Sequence, residues 1–166
     1  MLFIKKLKTM KIELWVIGKT AFDYLDEGIA IYNKRLERYI PFQIMVFPDV
    51  KNAKNMSPDI LKQKEGELFL SKLNKDDALF LLDERGKQYS SVEFSNFLDK
   101  KMQISTKKLI FVIGGAFGFS DEVYQRANGQ ISLSKMTFSH QMIRLFAVEQ
   151  VYRAMTILKG EPYHNE

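Results

Sequence analysis

The spacing of apolar positions changes repeatedly along this chain, and each change marks an element. Residues 12–17 form an apolar run rich in β-branched side chains, which predicts a buried strand. From 21 to 40, Phe22, Leu25, Ile29, Tyr32, Leu36 and Ile40 recur at helical spacing, and Pro41 stops the pattern. Residues 43–47 predict a second strand. Ser57-Pro58-Asp59 opens a helix carrying to about Leu73, with proline where its missing N–H costs nothing. Residues 78–82 predict a third strand, followed by a charged turn, Asp83-Glu84-Arg85-Gly86-Lys87. Ser90 with Glu93 fits a capping box and opens another helix. A fourth strand is expected at 108–113. Ser120-Asp121-Glu122 starts a short helix with its acids at the favourable end of the dipole. A fifth strand at 131–133 precedes a last helix over 139–158, ended by Gly160 and Pro162. This alternation predicts an α/β fold, a mostly parallel sheet with helices on both faces.

At 166 residues the chain fits one domain with a full core. There are no cysteines, which excludes disulfides, thiolate metal sites and cysteine nucleophiles and agrees with a cytoplasmic setting. Two histidines, His140 and His164, make a histidine-based metal site unexpected, so no metal is expected. The formal net charge is +5, and Lys5, Lys6 and Lys8 supply three of those charges from a short N-terminal segment. What remains is no basic stripe of the kind a nucleic-acid binder presents. The first residues do not form a signal peptide, and no stretch approaches a membrane span, so no membrane partner is expected.

The candidate chemistry lies in the last third. A strand runs into the glycine-rich bend Gly114-Gly115-Ala116-Phe117-Gly118, and another ends in the polar loop Ser134-Lys135-Met136-Thr137. Ligand sites on α/β sheets lie where strands end, so two such loops close together predict a site. Read alone, the glycines equally suit a turn with unusual backbone angles, and the hydroxyls equally suit helix capping. Gly18-Lys19-Thr20 lacks the upstream glycine of a phosphate loop, since Glu13 stands there. Gly114, Gly115 and Gly118 do not make the dinucleotide fingerprint, because Ala116 occupies its second glycine position. On the last helix, His140 and Arg144 are one turn apart, and Glu149 and Arg153 have ion-pair spacing. Met142, Leu145, Val148 and Tyr152 form an apolar stripe, broadened by Phe146, Met155 and Leu158, which suits both a core and a second subunit. Tyr163-His164 follows the helix stop, where a frayed tail is the default and a base-stacking tyrosine with a proton-exchanging histidine is the functional reading.

The words VIGGAFGFSDEV, SLSKMTFSHQMIRLFAVEQVYRAMTILKGEPYH and KIELWVIGK resemble the ribosomal large-subunit rRNA methyltransferase H family, small enzymes of the SPOUT class. The resemblance spans residues 10–164 and leaves 1–9 as a dispensable extension before a single SPOUT domain. It implies a C-terminal trefoil knot, an S-adenosylmethionine cofactor, a homodimer, and methylation of N-3 of a pseudouridine in large-subunit rRNA on the assembled ribosome. It also implies that Leu82, Gly114, Leu133, Ser134, Lys135, Met136, Thr137 and Phe138 bind the cofactor. Arg144, Tyr163 and His164 are the catalytic candidates, Arg144 and His164 to stabilise charge on the base and Tyr163 to place it. The turn Asp83-Glu84-Arg85 is more charged than the resemblance leads one to expect. The rival readings are a noncatalytic nucleotide-binding or ribosome-assembly module on a flavodoxin-like sheet, and a SPOUT enzyme acting on tRNA.

Overall fold

Strand β1 (Lys11–Ile17) shows why the sheet is covered on both sides. Ile12, Leu14 and Val16 are buried on one face, while Trp15 and Ile17 are buried on the other. Such two-sided burial produces the near-continuous apolar run seen in the sequence. The same division recurs in β4 (Lys108–Ile113), where Leu109, Phe111 and Ile113 join the first core and Ile110 and Val112 the second. With β2 (Phe42–Phe47), β3 (Ala78–Gln88) and β5 (Gly129–Ser132), these strands form one sheet in the order β2-β1-β4-β3-β5. Every pairing is parallel. The computed structural model describes residues 9–165, so the expectation about the N-terminal extension lies almost wholly outside the described residues.

Helices α1 (Asp23–Leu36), α3 (Ser91–Gln103) and α5 (Met142–Leu158) cover one face. Helices α2 (Pro58–Lys72) and α4 (Asp121–Arg126) cover the other. The starts of three helices follow the sequence signals. Ser57 accepts the Ile60 N–H, Ser120 accepts the Val123 N–H, and Ser90 with Glu93 makes a complete capping box. Burial of each large side chain in the two cores contributes about 1.5–3 kcal/mol, which holds the amphipathic helices to the sheet.

The first helix ends at Leu36 rather than 40, the fifth strand is Gly129–Ser132 rather than 131–133, and two further elements differ from their predicted form. Residues Asp83 to Lys87 are not a turn, because β3 continues through them to Gln88. Its pairing with β5 slips between Leu82 and Lys87, so both residues face Ile131. Gly86 permits this crossing, since a Cβ there would lie 2.6 Å from backbone atoms of Gln130 and Ile131. Charged composition suggested a turn, whereas the close backbone approach allows a bulged strand. The last helix starts regularly at Met142 rather than at 139, although Ser139 Oγ still accepts the Met142 N–H at 3.1 Å.

Candidate active site

After β3 the chain returns toward the sheet centre to form β4, then crosses back over β3 to form β5. This reversal places three strand ends side by side, the arrangement that opens a crevice in a parallel sheet. The crevice is a cavity of about 790 Å³, large enough for a nucleoside-sized ligand. Leu82 lines it from β3, Gly114 from β4, and Leu133, Ser134, Met136, Thr137 and Phe138 from the segment after β5. Seven of the eight expected cofactor residues therefore converge. Lys135 is exposed and is not among the lining residues.

The two loops are shaped by their own contacts. In the glycine bend, Gly118 has φ +85° and its N–H donates to Gly115 O at 3.2 Å. A Cβ on Gly114 would lie 3.2 Å from Gly118 O and the Phe119 ring, so any side chain there would crowd the bend. A Cβ on Gly115 would come within 2.5 Å of the Glu65 carboxylate. Glu65 is buried on α2, and burial raises its pKa while the Gly115 N–H, donated to it, works in the opposite direction. Beyond β5, Ser132 Oγ donates to Ser134 O at 2.8 Å, and Ser134 Oγ accepts the Met136 N–H at 2.9 Å. Thr137 Oγ1 donates to Glu84 Oε2 at 2.8 Å and ties this loop to the β3 extension. Ser134 and Thr137 thus organise the loop, while Ser139 alone caps the helix.

The three catalytic candidates lie elsewhere. Arg144 is only 2% exposed. Its guanidinium donates to the carbonyls of Ile17 at 2.7 Å and Gly18 at 2.9 Å, and to Thr20 Oγ1 at 3.3 Å. Gln141 reinforces the same junction by accepting the Ala21 N–H at 2.8 Å. Arg144 therefore staples α5 to the β1–α1 loop and does not line the cavity. That loop is no phosphate cradle, because its carbonyls face a cation and the Gly18 N–H is donated to Phe47 O at 2.8 Å.

Tyr163 and His164 fold back onto α5 and α1. The Tyr163 hydroxyl is 3.0 Å from Glu149 Oε1 and 3.3 Å from the Tyr32 hydroxyl. Its ring packs edge-on against Tyr152 at 4.7 Å, with the Arg153 guanidinium 4.7 Å from its centre. Burial and the bonds to Tyr32 and Glu149 raise the Tyr163 pKa, so the phenol remains a donor. Arg153 pairs with Glu149 at 2.6 Å, as the sequence spacing suggested, and its Nη1 lies 3.2 Å from His164 Nδ1. Since the guanidinium can only donate, Nδ1 accepts, and a neutral ring carries its proton on Nε2. Further along, Tyr39 donates to Glu161 Oε2 at 2.5 Å, a bond that raises the tyrosine to about 12 and anchors the tail. The tail is thus an ordered polar cluster, set apart from the cavity of its own chain.

The family model described as "Predicted SPOUT methyltransferase" matches residues 10–164. The chain belongs to the SPOUT methyltransferase family. Within it, the chain is similar to the ribosomal RNA large subunit methyltransferase H of Parabacteroides distasonis, 58% identical over 95% of this chain and 100% of that protein. The corresponding protein of Cytophaga hutchinsonii is 56% identical over 94% of this chain and all of its own length. Among solved structures, a methyltransferase from Legionella pneumophila in complex with bound SAM aligns with TM-score 0.47 and 14% identity, over 88% of this chain and 66% of that one.

The match to this SPOUT family runs through the glycine bend, the loop after β5 and the tail. Three members of the tail cluster were not sequence candidates for function. Glu149 and Arg153 carried only an ion-pair signal. Tyr32 carried none, being 131 positions from Tyr163. Much of the α5 stripe serves the core, for Val148 and Met155 are buried and Leu145 reaches Gly28 of α1. Phe146 and Phe138 remain exposed and pack on each other at 4.9 Å beside the cavity. Among the described residues, no group of three acids or histidines converges to hold a metal, and no helix is long and apolar enough to cross a membrane.

Proposed function

We propose that this chain is an S-adenosylmethionine-dependent methyltransferase acting on N-3 of a pseudouridine in large-subunit rRNA, on the assembled ribosome in the cytoplasm. The observation that carries the reading is a nucleoside-sized cavity built by the glycine bend and the loop after β5, in a chain whose family match covers both. The cavity residues fit the cofactor. Leu82, Ile131, Leu133 and Ile143 offer apolar surface to a flat base, and Gly114 and Gly115 line the cavity beside them. When bound there, the cofactor supplies an electrophilic methyl group on a sulfonium. The trefoil knot belongs to the same reading.

The rest of the chemistry falls to the protein. The imide nitrogen is a weak acid and becomes nucleophilic as it loses its proton, which shifts negative charge to the flanking carbonyl oxygens. His164 is the residue we assign to one of those oxygens, with Arg153 holding its ring. Tyr163, fixed by Glu149 and Tyr32, presents an aromatic edge that positions the base. Arg144 supports the fold by joining α5 to the end of β1.

The tail and the cavity are separate within one subunit, so we propose that the active unit is a homodimer in which the tail of one subunit completes the cavity of the other. Exposed Met136, Phe138 and Phe146 beside the cavity support such an interface. Sedimentation at micromolar concentration is expected to give twice the 19.4 kDa chain mass. The function is tested by methyl transfer from labelled cofactor to ribosomes, separated subunits and tRNA in parallel. Labelling of assembled ribosomes is expected, whereas labelling of tRNA alone would refute the substrate assignment.

A further inference from the structure

The cavity is lopsided in chemistry. Its floor is apolar, but the rim beside β3 carries Lys62, Asp83, Glu84, Arg85, Asp121 and Tyr124. Asp83, Arg85 and Tyr124 form a closed triangle. Arg85 Nε and Nη2 donate to the Asp83 carboxylate at 3.3 and 3.2 Å. The Tyr124 hydroxyl donates to Asp83 Oδ2 and accepts from Arg85 Nη2. The Asp83 side chain is 8% exposed, whereas that of Arg85 is 70% exposed. The guanidinium is therefore fixed along one edge, and among the described residues no group takes its Nη1. Glu84 is held similarly, with Oε2 accepting from Thr137 and, among the described residues, no group taking its Oε1. In a regular strand, neighbours point to opposite faces. The slip between Leu82 and Lys87 breaks that alternation and brings Glu84 and Arg85 to one cavity.

We propose that Glu84 and Arg85 receive the zwitterionic amino-acid end of the cofactor, Arg85 taking its carboxylate and Glu84 its ammonium. They would then be the residues that select a charged nucleoside over a neutral one, a role that rests on the cofactor reading above. A phosphate of bound RNA is the competing occupant. The rim sets three acids against two bases, and its Lys62 already faces Asp59 at 3.4 Å, so the local charge disfavours a polyanion and suits a zwitterion.

Two probes separate these outcomes by calorimetry. S-adenosylhomocysteine carries the amino-acid group, and 5′-methylthioadenosine shares its nucleoside and thioether without that group. Arg85→Ala and Glu84→Gln are each expected to weaken S-adenosylhomocysteine about three- to tenfold, the range for one charged contact near solvent, and to leave methylthioadenosine within about twofold. If Arg85→Ala fails to fold, Arg85→Gln carries the same test. Parallel weakening of both probes, no change in either, or equal wild-type affinity for the two would overturn the proposal. So would an Arg85 variant that changes only KM for ribosomes, since that marks an RNA contact. Wild-type protein that binds neither probe would remove the cofactor reading itself, and this proposal with it.

Discussion

Replacing Arg144 with methionine separates a structural cation from a catalytic one. The guanidinium donates to two buried carbonyls, those of Ile17 and Gly18, and more weakly to Thr20 and the His140 carbonyl. Methionine fills much of the volume but donates nothing, so those acceptors lose their partners in a site closed to water. Hydrogen bonds from charged donors are worth about 1.5–3 kcal/mol each, and some of that returns as the ion's own desolvation is relieved. Burial lowers the Arg144 pKa, the same desolvation acting on its protonation. A net loss of about 3 kcal/mol is expected, or a Tm lower by about 6–12 °C for a chain of this length. The assay is thermal and urea denaturation at one fixed protein concentration, followed by single-turnover methylation well below the new Tm with cofactor saturating. Cofactor affinity and the turnover rate of the folded fraction should stay within about threefold of wild type. A variant with unchanged stability and a rate lowered a hundredfold would refute this reasoning and restore Arg144 to the chemistry.

The remaining expectations concern the tail, the glycine bend, a buried acid and the N-terminus. His164→Ala should slow single-turnover methylation about a hundred- to a thousandfold, as loss of one preorganised donor does, with cofactor affinity and Tm nearly unchanged; a near-normal rate would exclude the tail from the chemistry. Gly114→Val pushes against Gly118 O and the Phe119 ring, and calorimetry with S-adenosylhomocysteine should show at least about a tenfold loss of affinity while the far-UV spectrum persists. Glu65 has a raised pKa in the folded state, so its protonation favours folding: relative to Glu65→Gln, wild-type stability should be greatest below pH 4.5 and fall as pH rises through the raised value. Urea midpoints across pH 4–8 that run parallel for the two proteins would contradict this. Deleting residues 1–9, which lie outside the family match, should leave fold, cofactor affinity and ribosome methylation intact; loss of methylation at moderate salt would instead mark the lysines as an RNA-binding arm.

Local physics determined most of what the sequence revealed. The central strands β1 and β4 were legible because a strand buried on both faces must be largely apolar, and Ser57, Ser90 and Ser120 cap helices because capping acts over three residues. The glycine bend and the loop after β5 were legible as a pair because each follows a strand directly. Tertiary structure decided what depends on distant partners. The charged composition of Asp83 to Lys87 suits a turn, but Gly86 lets the strand cross against β5. Arg144 was a candidate from its place on the helix, and the carbonyls of Ile17 and Gly18 that it binds lie 127 and 126 positions away, where nothing in its own neighbourhood encodes them. Tyr163 and His164 were visible as an aromatic and an ionisable residue after a helix stop. Their order comes from Tyr32, Tyr39, Glu149 and Arg153, which only folding brings together. Periodicity records which face a residue buries, whereas hydrogen-bond partners distant in sequence are chosen by the packing of whole elements.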